Sequence, residues 1–270
     1  MSRALLRGVI AASLAVAFGC ASALTEPPPI AEIGPAPGGT VVELADPNAV
    51  LIRAESEFAR RPDRAAVEQS RSLFLEAAQA GNAPVEAFLG AARATAWLIE
   101  HEEAGPRREE LAVEGVQIGQ HCTRLHPEVA ECAYRLALAV GQQARERPST
   151  AADGLEVMVE LLGDVISTAP DLDFAGGDRV MALVLLRAPA WPAGPGDPET
   201  ALVHAEAASG SFPDYPPNQL VLAEALRENG QPELAQRALQ RAAVLAREIG
   251  AGGYPEAAEW LAEAEAALVK

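Results

Sequence analysis

The feature that most constrains this chain is a compact apolar seam that returns five times on one helical face. It reads Ser70-x3-Phe74-x2-Ala77, Gly115-x3-Gly119-x2-Cys122, Met158-x3-Leu162-x2-Val165, Ala201-x3-Ala205-x2-Ala208 and Ala235-x3-Leu239-x2-Ala242. Residues spaced i, i+4, i+7 share one face of a helix, and several of these are small enough to let a second helix approach closely. Pro127, Pro170 and Pro213 follow the second, third and fourth seams at a constant interval, and Gly81-Asn82 follows the first. Proline cannot continue a helix, so each seam ends in a stop. The seams start 45, 43, 43 and 34 residues apart. A recurrence of that length is the mark of stacked helix pairs, none of which can bury its apolar face alone.

Composition agrees. Apolar residues make up 49% of the 270 residues but aromatics only 4%, so alanine and leucine must supply the core. Such a mix suits close helix packing and suits β-sandwiches poorly. The pattern predicts helices near 47–60, 64–80, 84–101, 107–124, 128–146, 152–168, 176–187, 197–211, 217–229, 232–249 and 254–269. The last, with Glu256, Glu259, Glu263 and Glu265 on its polar side, reads as a solvating cap.

The clearest unit runs from Asn218 to Leu226, turns at Asn229-Gly230, and continues through Ala235, Leu239 and Ala242. It resembles the tetratricopeptide repeat. The resemblance implies an all-α, right-handed α-solenoid of stacked helix hairpins over residues 47–270. A HEAT-like array, whose period is closer to the longer steps, is the structural alternative.

Residues 1–20 read as an export signal. Arg3 and Arg7 precede an apolar run from Gly8 to Phe18 that is too short to span a bilayer. The run ends in Ala17-Phe18-Gly19-Cys20, which resembles a bacterial lipobox and implies lipidation of Cys20; ordinary cleavage near Ala21 or Ala23 is the alternative. With Ala21 next, an outer-membrane destination on the periplasmic side is expected. Residues 21–46, rich in Pro and Gly without apolar period, read as a flexible linker that lifts the domain off the membrane. A formal charge of −17 with Lys270 as the lone lysine argues against nucleic-acid binding. It also argues against electrostatic attachment to anionic lipid, so membrane contact is expected through the lipid anchor only.

The search for chemistry finds no phosphate-binding loop, no Gly-x-Ser-x-Gly elbow and no His-Glu-x-x-His helix, so no enzyme and no cofactor are expected. His121-Cys122-x3-His126-Pro127-x4-Cys132 offers zinc-type ligands at a non-standard spacing. In an exported protein a Cys122–Cys132 disulfide is favoured over free thiols or a metal. The interruption from Arg187 to Pro198, with four prolines and two glycines between Pro189 and Pro198, holds Trp191 on a stiff loop. Trp191 is expected either to anchor a partner or to fold back as a lid. Asp197 should cap the helix that follows. By register, Leu220, Glu224 and Arg227 face the concave groove of their unit, and Tyr134, Leu138 and Gln142 face it in theirs.

The stretch Asp171–Ala242 is similar to the T-component lipoproteins of TRAP transporter systems. The likeness rests on Asp173-Phe174-Ala175-Gly176-Gly177-Asp178-Arg179, Ala188-Pro189-x-Trp191-Pro192-x-Gly194-x-Gly196-Asp197-Pro198 and Pro213-x-Tyr215-Pro216-x-Asn218. It implies an accessory role in solute uptake, a periplasmic solute-binding protein as partner and a small organic ligand, with Arg179 among the binding residues. A homo-oligomer is compatible with it. A protein–protein scaffold for envelope assembly is the competing function.

Overall fold

The computed structural model describes residues 21–34 and 47–269. Among these residues it is helical throughout, with no named strand. The helices are α1 (Pro47–Phe58), α2 (Arg64–Ala78), α3 (Val85–Glu100), α4 (Pro106–Leu125), α5 (Ala130–Glu146), α6 (Ala151–Thr168), α7 (Gly176–Arg187), α8 (Pro198–Ser211), α9 (Pro216–Glu228), α10 (Pro232–Ala251) and α11 (Ala257–Leu268). Each predicted helix has its counterpart within a few residues. The signal and lipobox, residues 35–46 of the linker and Lys270 lie outside the described residues.

Consecutive helices pack as antiparallel pairs, and the odd-numbered helices also touch one another across α1, α3 and α5 and across α7, α9 and α11. The odd set therefore forms an inner layer and the even set an outer one. All five seams fall on the even helices, and every seam residue is buried. Close approach is built in. A Cβ on Gly90 would meet the Phe74 ring at 2.3 Å, and one on Gly119 would meet the Leu136 backbone at 2.9 Å. Dense interdigitation of this kind gives an alanine-rich core its dispersion energy. Gly230, at φ 71°, turns the chain between α9 and α10, as the sequence predicts for a left-handed cap.

Two features depart from expectation. First, residues 21–34 do not hang free. The Ala21 amide donates to Ser149 O at 3.2 Å, and the Ala23 amide to Asp153 at 2.6 Å. Gln120 donates to Thr25 O at 2.8 Å, and His121 Nε2 pairs with Pro28 O at 2.7 Å. Ala23 and Ile33 are buried in the cores beneath. A Pro-rich stretch has unpaired carbonyls in abundance, and side chains of α4 bind two of them while Asp153 of α6 accepts from the Ala23 amide; the expected spacer is a strap over the outer layer in this part. Second, α11 is more than a solvating cap. Its glutamates reach back to the first hairpins, with Arg61 Nε on Glu256 at 2.8 Å and His101 Nε2 by Glu259 at 3.1 Å.

Candidate functional site

Three consecutive residues before α7, Asp173, Phe174 and Ala175, have left-handed φ of 51°, 56° and 60°. Non-glycine residues there cost about 1 kcal/mol each, so the surroundings must hold them. Arg179 does this. Its Nη1 donates to Asp173 O at 2.9 Å, Phe174 O at 3.2 Å and Asn218 Oδ1 at 3.1 Å, and its Nη2 to Asp173 Oδ2 at 2.6 Å. Asn218 donates in turn to Phe174 O at 3.0 Å and Ala208 O at 3.0 Å, and the Tyr134 hydroxyl to Asp173 at 2.6 Å. Burial pulls the Arg179 pKa down, but the Asp173 carboxylate against it works the other way, and the group stands above the usual arginine range. Burial pushes the Tyr134 hydroxyl up, so it donates and does not ionise. Arg179 and Tyr134 were expected at a binding surface. Both are buried instead, and their joint work is to lock the hairpin of α5 to those of α7 and α9.

The outer side of this lock carries an aromatic row. The Phe174 ring stacks on Tyr215 at 4.4 Å and meets Phe212 edge-on at 5.7 Å. Tyr215 meets Trp260 at 5.5 Å, and Trp260 meets Tyr254 at 5.2 Å. Arg179 lies over the Tyr215 ring at 5.1 Å. Phe174 remains 46% exposed and Tyr254 43%. Desolvation raises the pKa of both Tyr215 and Tyr254. In a chain so poor in aromatics this is the largest continuous π-surface among the described residues. The sequence alone did not reveal it as one site, because its members come from three helix starts up to 86 positions apart. The junction motifs Asp173–Arg179 and Pro213–Asn218 contained half of it.

At the other ends of these helices lies the second surface. The loop after α7 is pinned by Asp197 N to Leu185 O at 2.9 Å, Gly196 N to Pro189 O at 2.9 Å and Ala193 N to Ala190 O at 3.0 Å. Asp197 caps α8 through the Glu199 and Thr200 amides, both at 3.1 Å, as predicted. On this rigid loop Trp191 is 85% exposed, so it is no lid. Arg187, last residue of α7, forms a two-pronged pair with Glu224 at 3.1 and 2.7 Å. Glu224 and Arg227 border a recess of about 50 Å³ with Leu220, Ala223, Leu239, Glu263 and Ala267. Desolvation in the recess raises the Glu263 pKa. Leu220 itself is nearly all core, and Leu138 is half-buried against its neighbours. Of the candidate binding residues, Trp191 on its loop and Glu224 and Arg227 in the groove are therefore the accessible ones. Gln142 instead ties α5 to α3 through Glu100 at 2.9 Å.

Residues 193–249 match the tetratricopeptide repeat family. The matched segment spans the end of the Trp191 loop, α8, α9 and nearly all of α10, the unit with the standard period. No curated protein is significantly similar to the chain. Tetratricopeptide repeats generally mediate protein–protein contacts, and residues 193–249 form a helical-repeat interaction module of this type.

The Cys–His cluster resolves into separate contacts. Cys122 and Cys132 are joined as a disulfide with Cα atoms 5.3 Å apart, linking the end of α4 to the start of α5. His121 serves the strap, and His126 rests on Phe88 with ring centres 5.8 Å apart. Among the described residues no group of three His, Cys, Asp or Glu side chains could hold a metal ion. No described helix is long and apolar enough to cross a membrane. Elsewhere, Leu222, Leu226, Leu234 and Ala238 line an open cleft of about 350 Å³ rimmed by Glu206, Arg237 and Arg241.

Proposed function

We propose that this is an exported, lipid-anchored helical-repeat protein that serves as an accessory component of periplasmic solute uptake. In this reading it docks a partner protein, a periplasmic solute-binding protein, through the Trp191 loop. The observation that carries the docking role is Trp191 itself. A tryptophan held in solvent on a loop pinned by three backbone hydrogen bonds has no role in the fold. Aromatic anchors on rigid supports bind at low entropic cost, and Trp leads the residue types found at binding hot spots. The Arg187–Glu224 pair and Arg227 beside it supply a polar rim. The aromatic row from Phe174 to Tyr254 offers stacking for the unsaturated or apolar part of a small organic solute. An envelope-assembly scaffold would need Tyr134 and Leu220 exposed along an open groove, and both are buried.

Native mass spectrometry of the full-length protein purified from membranes tests this. A lipid-modified mass, a co-purifying solute-binding protein and a bound small molecule are the expected results. An unmodified, ligand-free species paired only with envelope-assembly proteins contradicts the uptake role.

A further inference from the structure

The strap begins where the anchor would end. Ala21, the residue after Cys20, is already bonded to Ser149, and Ser22 Oγ and the Ala23 amide both reach Asp153 at 3.2 and 2.6 Å. Ala23 is buried against the core of α5 and α6, close to Gly154. Consecutive Cα atoms are about 3.8 Å apart, so a group attached one residue before Ala21 would stay within a few ångströms of it. Ion pairs line the edge beside it. Arg108, Arg145 and Arg147 pair there with Glu146, Glu100 and Glu109, and Asp153 at the start of α6 adds a further carboxylate that Ser22 and Ala23 bond. Each of these pairings removes one source of the repulsion that an acidic surface feels near anionic lipid.

We propose that the strap makes the lipid anchor and the solenoid a single rigid body, seating the edge formed by Arg147–Thr150 and the start of α6 on the lipid head groups. The inference rests on the reading of Cys20 as lipidated. It replaces a protein swinging on a tether with one held in a fixed orientation. The outer layer at α6 is then close to the membrane, and α10 is presented to the periplasm.

The test uses full-length, lipid-modified protein in phosphatidylethanolamine/phosphatidylglycerol vesicles that carry a rhodamine head-group lipid. A donor dye is attached at S149C or at V244C, both exposed positions. With Cys122 and Cys132 bonded and Cys20 acylated, the introduced thiol is the one that labels. Energy transfer from S149C should exceed that from V244C several-fold. Inserting twelve Gly/Ser residues between Cys20 and Ala21 should remove the difference while leaving the fold and vesicle flotation intact. Flotation with equal transfer from both positions in the uninserted protein overturns the fixed orientation and leaves the lipid anchor standing. Failure to float overturns the lipid anchor, and the orientation falls with it.

Discussion

Two buried arginines, one in each half of the molecule, are stabilised in opposite ways. Arg71 in α2 gives its Nε to Thr95 at 3.0 Å and its Nη2 to Glu114 at 2.6 Å. Burial lowers its pKa and Glu114 offsets only part of that. Arg179 in α7 is met by two backbone carbonyls, a carboxylate and an amide, and its pKa is raised. The difference teaches where each half gets its rigidity. The N-terminal half has a disulfide and a strap over its outer helices, and can carry an arginine that is nearly a liability. The C-terminal half has neither among the described residues, and there one guanidinium holds a strained turn, three hairpins and the support of the aromatic row. A buried ion is worth most where removing it orphans its partners, and least where an apolar side chain can take its place.

The comparison predicts a hierarchy of effects. Arg179→Met should cost about 3–5 kcal/mol in urea unfolding, because it leaves the Asp173 carboxylate without its cation and the left-handed Asp173 carbonyl without its donor. A cost under about 1 kcal/mol would break the contrast. Cys122→Ala with Cys132→Ala should cost about 2–3 kcal/mol, the chain-entropy value for so short a loop, and the loss should disappear when both proteins are measured in reductant. Arg71→Met combined with Glu114→Met should cost no more than about 1 kcal/mol, since the ion pair is removed whole and Thr95 keeps its bond to Ala91 O. A loss as large as that of Arg179→Met would show the two sites to be alike.

The smallest effect concerns pH. Burial, together with Arg124 at 2.8 Å, holds the His121 pKa below its ordinary value of about 6.5, although the Pro28 carbonyl works the other way. A base whose folded pKa is depressed contributes its full stability above about pH 6.5. That contribution is lost as pH falls below this value, and the loss is complete once pH is under the folded pKa. Amide exchange in residues 21–34 should therefore quicken relative to α3 as pH drops through this window, after correction for intrinsic rates. His121→Gln should remove that dependence.

The repeat architecture was legible because it is periodic. Seams at Phe74, Leu162 and Leu239 set a face, and the prolines and Gly230 set the stops. The capping role of Asp197 was legible because it depends on neighbours in sequence. The strap was hidden because its bonds use backbone carbonyls of Thr25 and Pro28, which carry no side-chain signature. Tyr134 and Arg179 were recognised as special, but register alone could not tell an inward-facing ligand contact from a lock between hairpins. The closure of Glu256 on Arg61 joins residues 195 positions apart and depends on how far the solenoid curves, which no local pattern encodes.

Trp191→Ala tests the central claim, that the Trp191 loop is a surface for a partner and not part of the fold. Thermal unfolding and retention of the co-purified partner are to be read on the same preparation. The account predicts a midpoint within about 1 °C of the parent, as for an exposed side chain outside the packing, together with loss of the complex. A midpoint lowered by several degrees, or a complex retained in full, would contradict it.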